Sequence, residues 1–399
     1  MRILQLTPRL AYPPSDGGRV VMLQIATAMQ RLGADVRILS LNPKKQHADL
    51  ETAQQALAPI LVDAIDIDTL DLPRSVRRAL TNRGLPMLVA RFFSQQFRRE
   101  LRALLQASDV DVVQIESPFL LLYVPYIRAY SRAVIVLRSL NVEFRILEQE
   151  AAREKHRLFR AIGRSVAASL RRYEIRNLNT CDAMVPITDD DARDFRALGC
   201  TVPMHVLPGG VDVEVESESP TSPLVGFLGS LDYRPNQDAA IWIADELALR
   251  LRGVHIAGSN APPWLREQLE ASAVVFDGEV PDAKAFIRSM RVMIAPIFSG
   301  GGMRIKILEA MALGKPVVAT TIGAAGIGVR HGEDILLADD PDAFAAAVTA
   351  LLRDPAKARA IGDAGRRLVA SRFSTEALAR GLLAFYEELT QSRGVNAGR

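Results

Sequence analysis

Ser299-Gly300-Gly301-Gly302-Met303-Arg304-Ile305-Lys306-Ile307-Leu308-Glu309, continued by Ala310-Met311-Ala312-Leu313-Gly314-Lys315-Pro316-Val317-Val318, is the stretch that decides the fold. An apolar strand over 292–297 runs into a glycine loop, a short helix follows, Gly314 stops it and a second buried strand begins. Glycines let a backbone approach a ligand without interference from Cβ. A helix N-terminus aimed over such a loop favours an anion such as a phosphate. Arg304 and Lys306 add fixed positive charge there, and Glu309 offers a carboxylate to hydroxyl groups. Phosphate donors beside a hydroxyl acceptor suit a sugar nucleotide. The plain alternative is a simple loop with Glu309 paired to Lys306 on a solvated helix face. Placement between two buried strands of an alternating β/α pattern favours the ligand site, because strand carboxyl ends form the crevice in such sheets.

Working outward, strand-like runs alternate with helix-period segments along the whole chain. Strands are expected over 2–7, 35–41, 112–116, 133–137 and 183–188, then over 224–228, 254–257, 274–276, 292–297, 316–320 and 335–337. Continuous apolar strands spaced by helices imply parallel sheets covered on both faces. The class is therefore α/β, with two doubly wound domains, as a length of 399 residues requires. The first domain is expected over 1–207, a hinge and polar linker over 208–223, and the second domain over 224–373. A last helix over 374–390, capped by Ser374, is expected to return to the first domain, and 391–399 to form a disordered tail.

A net charge of +3 does not indicate a general nucleic-acid binder. Cys181 and Cys200 give neither a disulfide framework nor metal-ligand spacing, which fits a reducing, cytoplasmic location. No apolar run approaches the ~20 residues that span a bilayer. The five histidines show no ligand spacing. Asp189-Asp190-Asp191 invites a metal, but acids opening a helix after a strand read better as first-turn dipole partners. No metal and no cofactor are expected.

The motifs together resemble the large retaining GT-B glycosyltransferase family that includes sucrose synthases, mannosyltransferases and exopolysaccharide enzymes. The resemblance rests on Asp16-Gly17-Gly18 after the first strand, Pro208-Gly209-Gly210-Val211-Asp212 at the hinge, Gly229-Ser230-Leu231, Asp277-Gly278-Glu279-Val280 and the segment 300–318. It implies two Rossmann-like domains facing each other across a cleft. It further implies donor contacts from Gly229, Ser230, Gly278, Val280, Gly301, Gly302, Met303 and Glu309, with Glu309 on the ribose and Arg304 and Lys306 on the pyrophosphate. Acceptor-side residues are Asp16, Gly17, Gly18, Asn141 and Glu143. The implied reaction moves a sugar from a UDP- or GDP-linked donor to a sugar or lipid-linked hydroxyl, with retention and without a metal, in polysaccharide or glycoconjugate biosynthesis.

The chain departs from the family in places. Gly301 stands at the first position of the Glu-x7-Glu pair, Gly209 replaces the hinge asparagine and Leu140 replaces a histidine before Asn141. Ser230 sits where a phosphate-binding arginine is usual, and Pro235-Asn236 near the usual lysine. Arg304 and Lys306 are expected to take over that neutralisation. Rivals are a nucleotide-sugar epimerase on the same architecture and a non-catalytic sugar-nucleotide-binding protein at a membrane.

Two arginine-rich stretches complete the reading. One holds Arg74, Arg77, Arg78, Arg83, Arg91, Arg98, Arg99 and Arg102 among Leu and Phe residues; the other holds Arg153, Lys155, Arg157, Arg160, Arg164, Arg171 and Arg172. Solvated helix faces and peripheral contact with an anionic membrane, the latter through 74–102, are both open at this stage.

Overall fold

The computed structural model describes residues 1–14, 17–71, 85–139, 142–154, 156–213, 224–299 and 303–397. Asp16, Asn141, Gly301, Gly302, the linker 214–223 and the arginines at 74, 77, 78 and 83 lie outside the described residues. Cα packing divides the chain into two units, one made of 1–208 with 378–399 and the other of 209–377.

The first unit is a parallel sheet of β1 (Arg2–Thr7), β2 (Asp35–Pro43), β3 (Leu61–Ile67), β4 (Val112–Ile115), β5 (Val134–Ser139) and β6 (Ala183–Pro186), ordered β3-β2-β1-β4-β5-β6. β1 pairs with β2 from Arg2–Asp35 to Thr7–Ser40, and with β4 from Ile3–Val112 to Leu6–Ile115. β1, β4 and β5 are buried on both faces, as the apolar runs require. β3 was not expected. Its sequence, Leu-Val-Asp-Ala-Ile-Asp-Ile, alternates acids with apolar residues because it is an edge strand with one wet face.

The second unit is a parallel sheet of β7 (Val225–Leu228), β8 (Val254–Ala257), β9 (Val275–Gly278), β10 (Val292–Ala295), β11 (Val317–Ala319) and β12 (Leu336–Leu337), ordered β12-β11-β10-β7-β8-β9. In each sheet the strand order reverses once, between β1 and β4 and between β7 and β10. Those switch points open crevices at strand carboxyl ends.

One local expectation needs correction. The last helix, Thr375–Ala397, continues through most of the stretch expected to be a disordered tail. Arg393 fixes that extension, donating from Nη1 to the Ala133 carbonyl at 2.6 Å and to Asp182 Oδ2 at 2.9 Å. Ser374 does cap the helix, its Oγ accepting the Ala377 N–H at 3.1 Å. The described part of the segment up to Arg102 supplies both core and surface. Phe93, Phe97 and Leu101 are buried in the core, while Arg98 and Arg102 lie over the rings of Tyr126 and Tyr130 at 5.2 and 4.7 Å.

Candidate functional site

In the second unit the helix Ile305–Ala312 follows β10 and its glycine loop. Ile307, Leu308, Ala310, Met311 and Ala312 bury one side of it, whereas Ile305 is 37% exposed. Gly314 at φ +68° ends the helix in the left-handed region, where a side chain would be strained.

This packing aims Lys306 across the sheet to the end of β7. Its Nζ donates to Asn236 Oδ1 at 2.8 Å and lies 4.3 Å from the centroid of the buried Phe227 ring. A Cβ on Gly229 would sit 2.5 Å from that Nζ, so any other residue there would push the ammonium out of its present position. Burial, with Arg304 nearby, pushes the Lys306 pKa down to about 7, against the smaller opposing pull of Glu309. Lys306 thus bonds to Asn236 rather than to Glu309, unlike the simple helix-surface pair. Asn236 also donates from Nδ2 to the Ser230 carbonyl at 2.7 Å, tying the helix Arg234–Trp242 to the β7 loop.

Arg304 is the N-cap residue of the helix, and its guanidinium donates to the Ser299 carbonyl at 3.1 Å. Glu309 is partly buried. Burial raises its pKa, and Lys284 and Lys306 oppose the rise. Met303 and Val280 are partly buried hydrophobics against the same core. Ser230 is exposed and its hydroxyl bonds to Asp232 Oδ1 at 2.6 Å.

The strand ends are joined by glycines. Gly229 N–H donates to the Ala257 carbonyl at 3.1 Å, and Gly258 N–H to the Gly278 carbonyl at 2.7 Å. Gly278 sits at φ +67° two strands from β7, roughly 10 Å away by sheet spacing. The geometry therefore gathers Gly229, Asn236 and Lys306 at one point and sets Gly278 and Val280 farther along the edge. Reading from sequence missed Gly258-Ser259-Asn260 at the end of β8, although the same rule of glycine after a strand would have found it.

The first unit has its own cavity, about 480 Å³, at the β1/β4 switch point. Its lining includes Arg9, Gly18, Lys45, Arg91, Glu116 and Glu143. Phe92 and Phe119 also line it and stack face to face with centroids 5.1 Å apart. Gly17 and Gly18 open the helix Gly17–Arg31, and Glu143 opens the helix Glu143–Arg153. Val142 is the N-cap residue there.

Below this cavity lies a polar network that sequence reading did not anticipate. Arg138 Nη1 meets Glu116 Oε2 at 3.1 Å, with both side chains fully buried. Gln5 Nε2 donates to Glu116 Oε1 at 2.6 Å and Gln114 donates to the same oxygen. The Tyr386 hydroxyl, its pKa raised by burial, donates to Gln114 Oε1 at 2.7 Å. The Asp189–Ala197 helix uses its acids locally, with Thr188 accepting the Asp191 N–H at 3.0 Å and Arg193 pairing with Asp190. Among the described residues no three His, Cys, Asp or Glu side chains converge as metal ligands.

Residues 15–215 match the family described as Glycosyltransferase Family 4, and residues 222–354 match Glycosyl transferases group 1. The chain belongs to glycosyltransferase family 4. Its two six-stranded sheets are those of the GT-B fold. A Klebsiella pneumoniae protein described as an uncharacterized 44.6 kDa protein in the cps region is 24% identical, covering 86% of this glycosyltransferase and 89% of the relative. The GDP-mannose-dependent alpha-(1-6)-phosphatidylinositol monomannoside mannosyltransferase of Mycolicibacterium smegmatis is 32% identical over 44% of this chain and 54% of its own. An Anabaena protein solved in complex with UDP superposes with a TM-score of 0.64 at 16% identity, over 97% of this chain and 100% of that one. Among the described residues, no helix is long and apolar enough to cross a membrane.

Proposed function

We propose that this glycosyltransferase moves a hexose from a nucleoside-diphosphate donor to a hydroxyl acceptor with retention of configuration. The observation that carries the reading is Lys306, whose ammonium is delivered to Gly229 and Asn236 at the β7/β10 switch point. In this reading Lys306 and Arg304 neutralise the diphosphate as the glycosidic bond breaks. Glu309 accepts from the ribose hydroxyls. Backbone amides of Gly301, Gly302 and Met303 contact the sugar, and Gly229, Ser230, Gly278 and Val280 line the rest of the donor site. The leaving diphosphate oxygen takes the acceptor proton as that hydroxyl attacks from the same face.

The first-unit cavity, with Gly18 and Glu143 in its lining and the Phe92–Phe119 pair as an apolar wall, is the acceptor site. Asp16, Gly17 and Asn141 are assigned to the same side. The relatives support a nucleotide-sugar donor, since one is named for GDP-mannose and another was solved with UDP. The mannosyltransferase's name also supports a glycolipid product. Assays with UDP-glucose and GDP-mannose test the reading: nucleotide diphosphate should be released only when an acceptor is present, and the new linkage should keep the donor's anomeric configuration. Release that ignores acceptors, or an inverted product, would falsify it.

Glu309→Ala is expected to weaken donor binding at least tenfold, since a hydrogen bond to a charged acceptor contributes ~1.5–3 kcal/mol. Folding should be nearly unchanged, because Ile307, Leu308 and Met311 carry the helix's buried surface. Calorimetric titration with the nucleotide checks both. Activity is also expected to survive EDTA, since the diphosphate's neutralising charges come from side chains. Activity lost to the chelator and restored by Mg²⁺ or Mn²⁺ would return the neutralising role to a metal.

A further inference from the structure

We infer that the helix Arg157–Asn177 of the first unit lies on an anionic phospholipid surface. Its 21 residues include six arginines and a single acid, Glu174. Glu174 is buried, accepts the Phe144 N–H at 3.1 Å, and is pushed up to about 8 by burial and by the neighbouring Glu143. It therefore cancels little of the arginine charge at neutral pH.

The helix has a fixed inner face. A Cβ on Gly163 would sit 2.9 Å from the Ala151 Cβ, too close for any side chain, and Ala167, Leu170 and Tyr173 are buried. The outward stripe runs at spacings of four and three through Leu158, Ile162, Ser165, Ser169, Arg172 and Arg176. Leu158 and Ile162 are 64% and 50% exposed, with Phe159 beside them at 59%. Further along the same stripe a cavity of about 300 Å³ is lined by Leu85, Pro86, Ser169, Arg172, Tyr173 and Arg176. Arg157, Arg164, Arg172 and Arg176 have no acidic partner among the described residues.

Large apolar side chains left in water on successive turns mark an interaction surface. Their pairing with uncompensated arginines matches a bilayer, where acyl chains take the apolar side chains and lipid phosphates take the guanidinium groups. The arginine-lined cavity has the chemistry to accept a lipid phosphate. A peptide partner of comparable fit would have to supply both an acidic cluster and an apolar anchor, whereas an anionic membrane presents both everywhere. This inference is independent of the donor and acceptor assignments.

Co-sedimentation of the full chain with vesicles tests it. Vesicles of phosphatidylcholine mixed with phosphatidylglycerol should recover the protein at low salt, and phosphatidylcholine alone should not. High salt should reduce that partition by about tenfold or more. Arg172→Gln combined with Arg176→Gln should weaken it severalfold, as should the joint change Leu158→Ser, Phe159→Ser and Ile162→Ser. Circular dichroism and melting should be unchanged, because these side chains are exposed. Equal recovery with neutral and anionic vesicles, or wild-type binding by both variants, would overturn the inference. So would a dimer, seen by light scattering, that the serine variant dissolves while no vesicle binding is found; that result would assign the face to a second copy of the chain.

Discussion

Replacing Lys306 with alanine is expected to lower turnover by about 10²- to 10³-fold, the usual loss when one preorganised donor to a developing anion is removed. The side chain is held by Asn236 and by the Phe227 ring, so its amino group is positioned before the donor arrives. Lys306→Arg should not rescue activity, because the space beside Gly229 is already filled by the lysine ammonium. Steady-state kinetics with the preferred donor checks both variants. Near-normal turnover in Lys306→Ala would leave Arg304 and the loop amides as the sole phosphate contacts.

The same residue sets a pH dependence. With its pKa at about 7, Lys306 loses its proton in the free protein as pH rises through neutrality. A bound diphosphate would hold that proton, so donor binding should take one up, and affinity should fall as pH rises above about 7. Sugar nucleotides are the right probe because their diphosphate carries no group titrating in this range. Calorimetry in buffers of different ionisation enthalpy reads the proton directly. For folding the sign is opposite. The unfolded lysine keeps its proton up to about 10.4, so between the two values the unfolded state binds more protons and this group's contribution to stability rises with pH.

The second large effect is structural. Arg138→Met leaves Glu116 buried without its ion-pair partner and is expected to cost about 3–5 kcal/mol of first-unit stability. Glu116→Gln should cost a similar amount by stranding the guanidinium. Changing both residues together, to methionine at 138 and glutamine at 116, should recover part of the loss. Denaturant unfolding of the three variants gives the coupling energy. Additive losses would mean that Gln5 and Gln114 satisfy Glu116 on their own.

The strands of both sheets were legible because continuous apolar runs have few other uses in a chain rich in helical segments. β3 was hidden by Asp63 and Asp66, which an edge strand can leave in water. Lys306 and Glu309 could be named from their loop and helix, but the partner of Lys306 could not. Asn236 lies 70 positions away and meets it only because β7 and β10 are neighbours in the sheet. Glu116 was read as the end of a strand, since nothing local shows that Arg138, Gln5 and Gln114 converge on it. The outward apolar face of Arg157–Asn177 was likewise invisible until Gly163 against Ala151 fixed which side turns inward. Of the two arginine-rich stretches, the membrane reading was attached to 74–102, where Leu and Phe interleave with the basic residues.

The return of the last helix to the first unit also constrains biosynthesis. Tyr386 closes the polar network through Gln114, and Arg393 closes Asp182, yet both are translated after the whole of the second unit. During elongation the sheet emerging first must wait with Gln114 and the apolar pockets of Leu378, Leu382 and Tyr386 uncovered. A nascent chain halted before residue 378 would therefore present an unfinished face to chaperones and proteases. The first unit becomes complete only when the ribosome has passed the second.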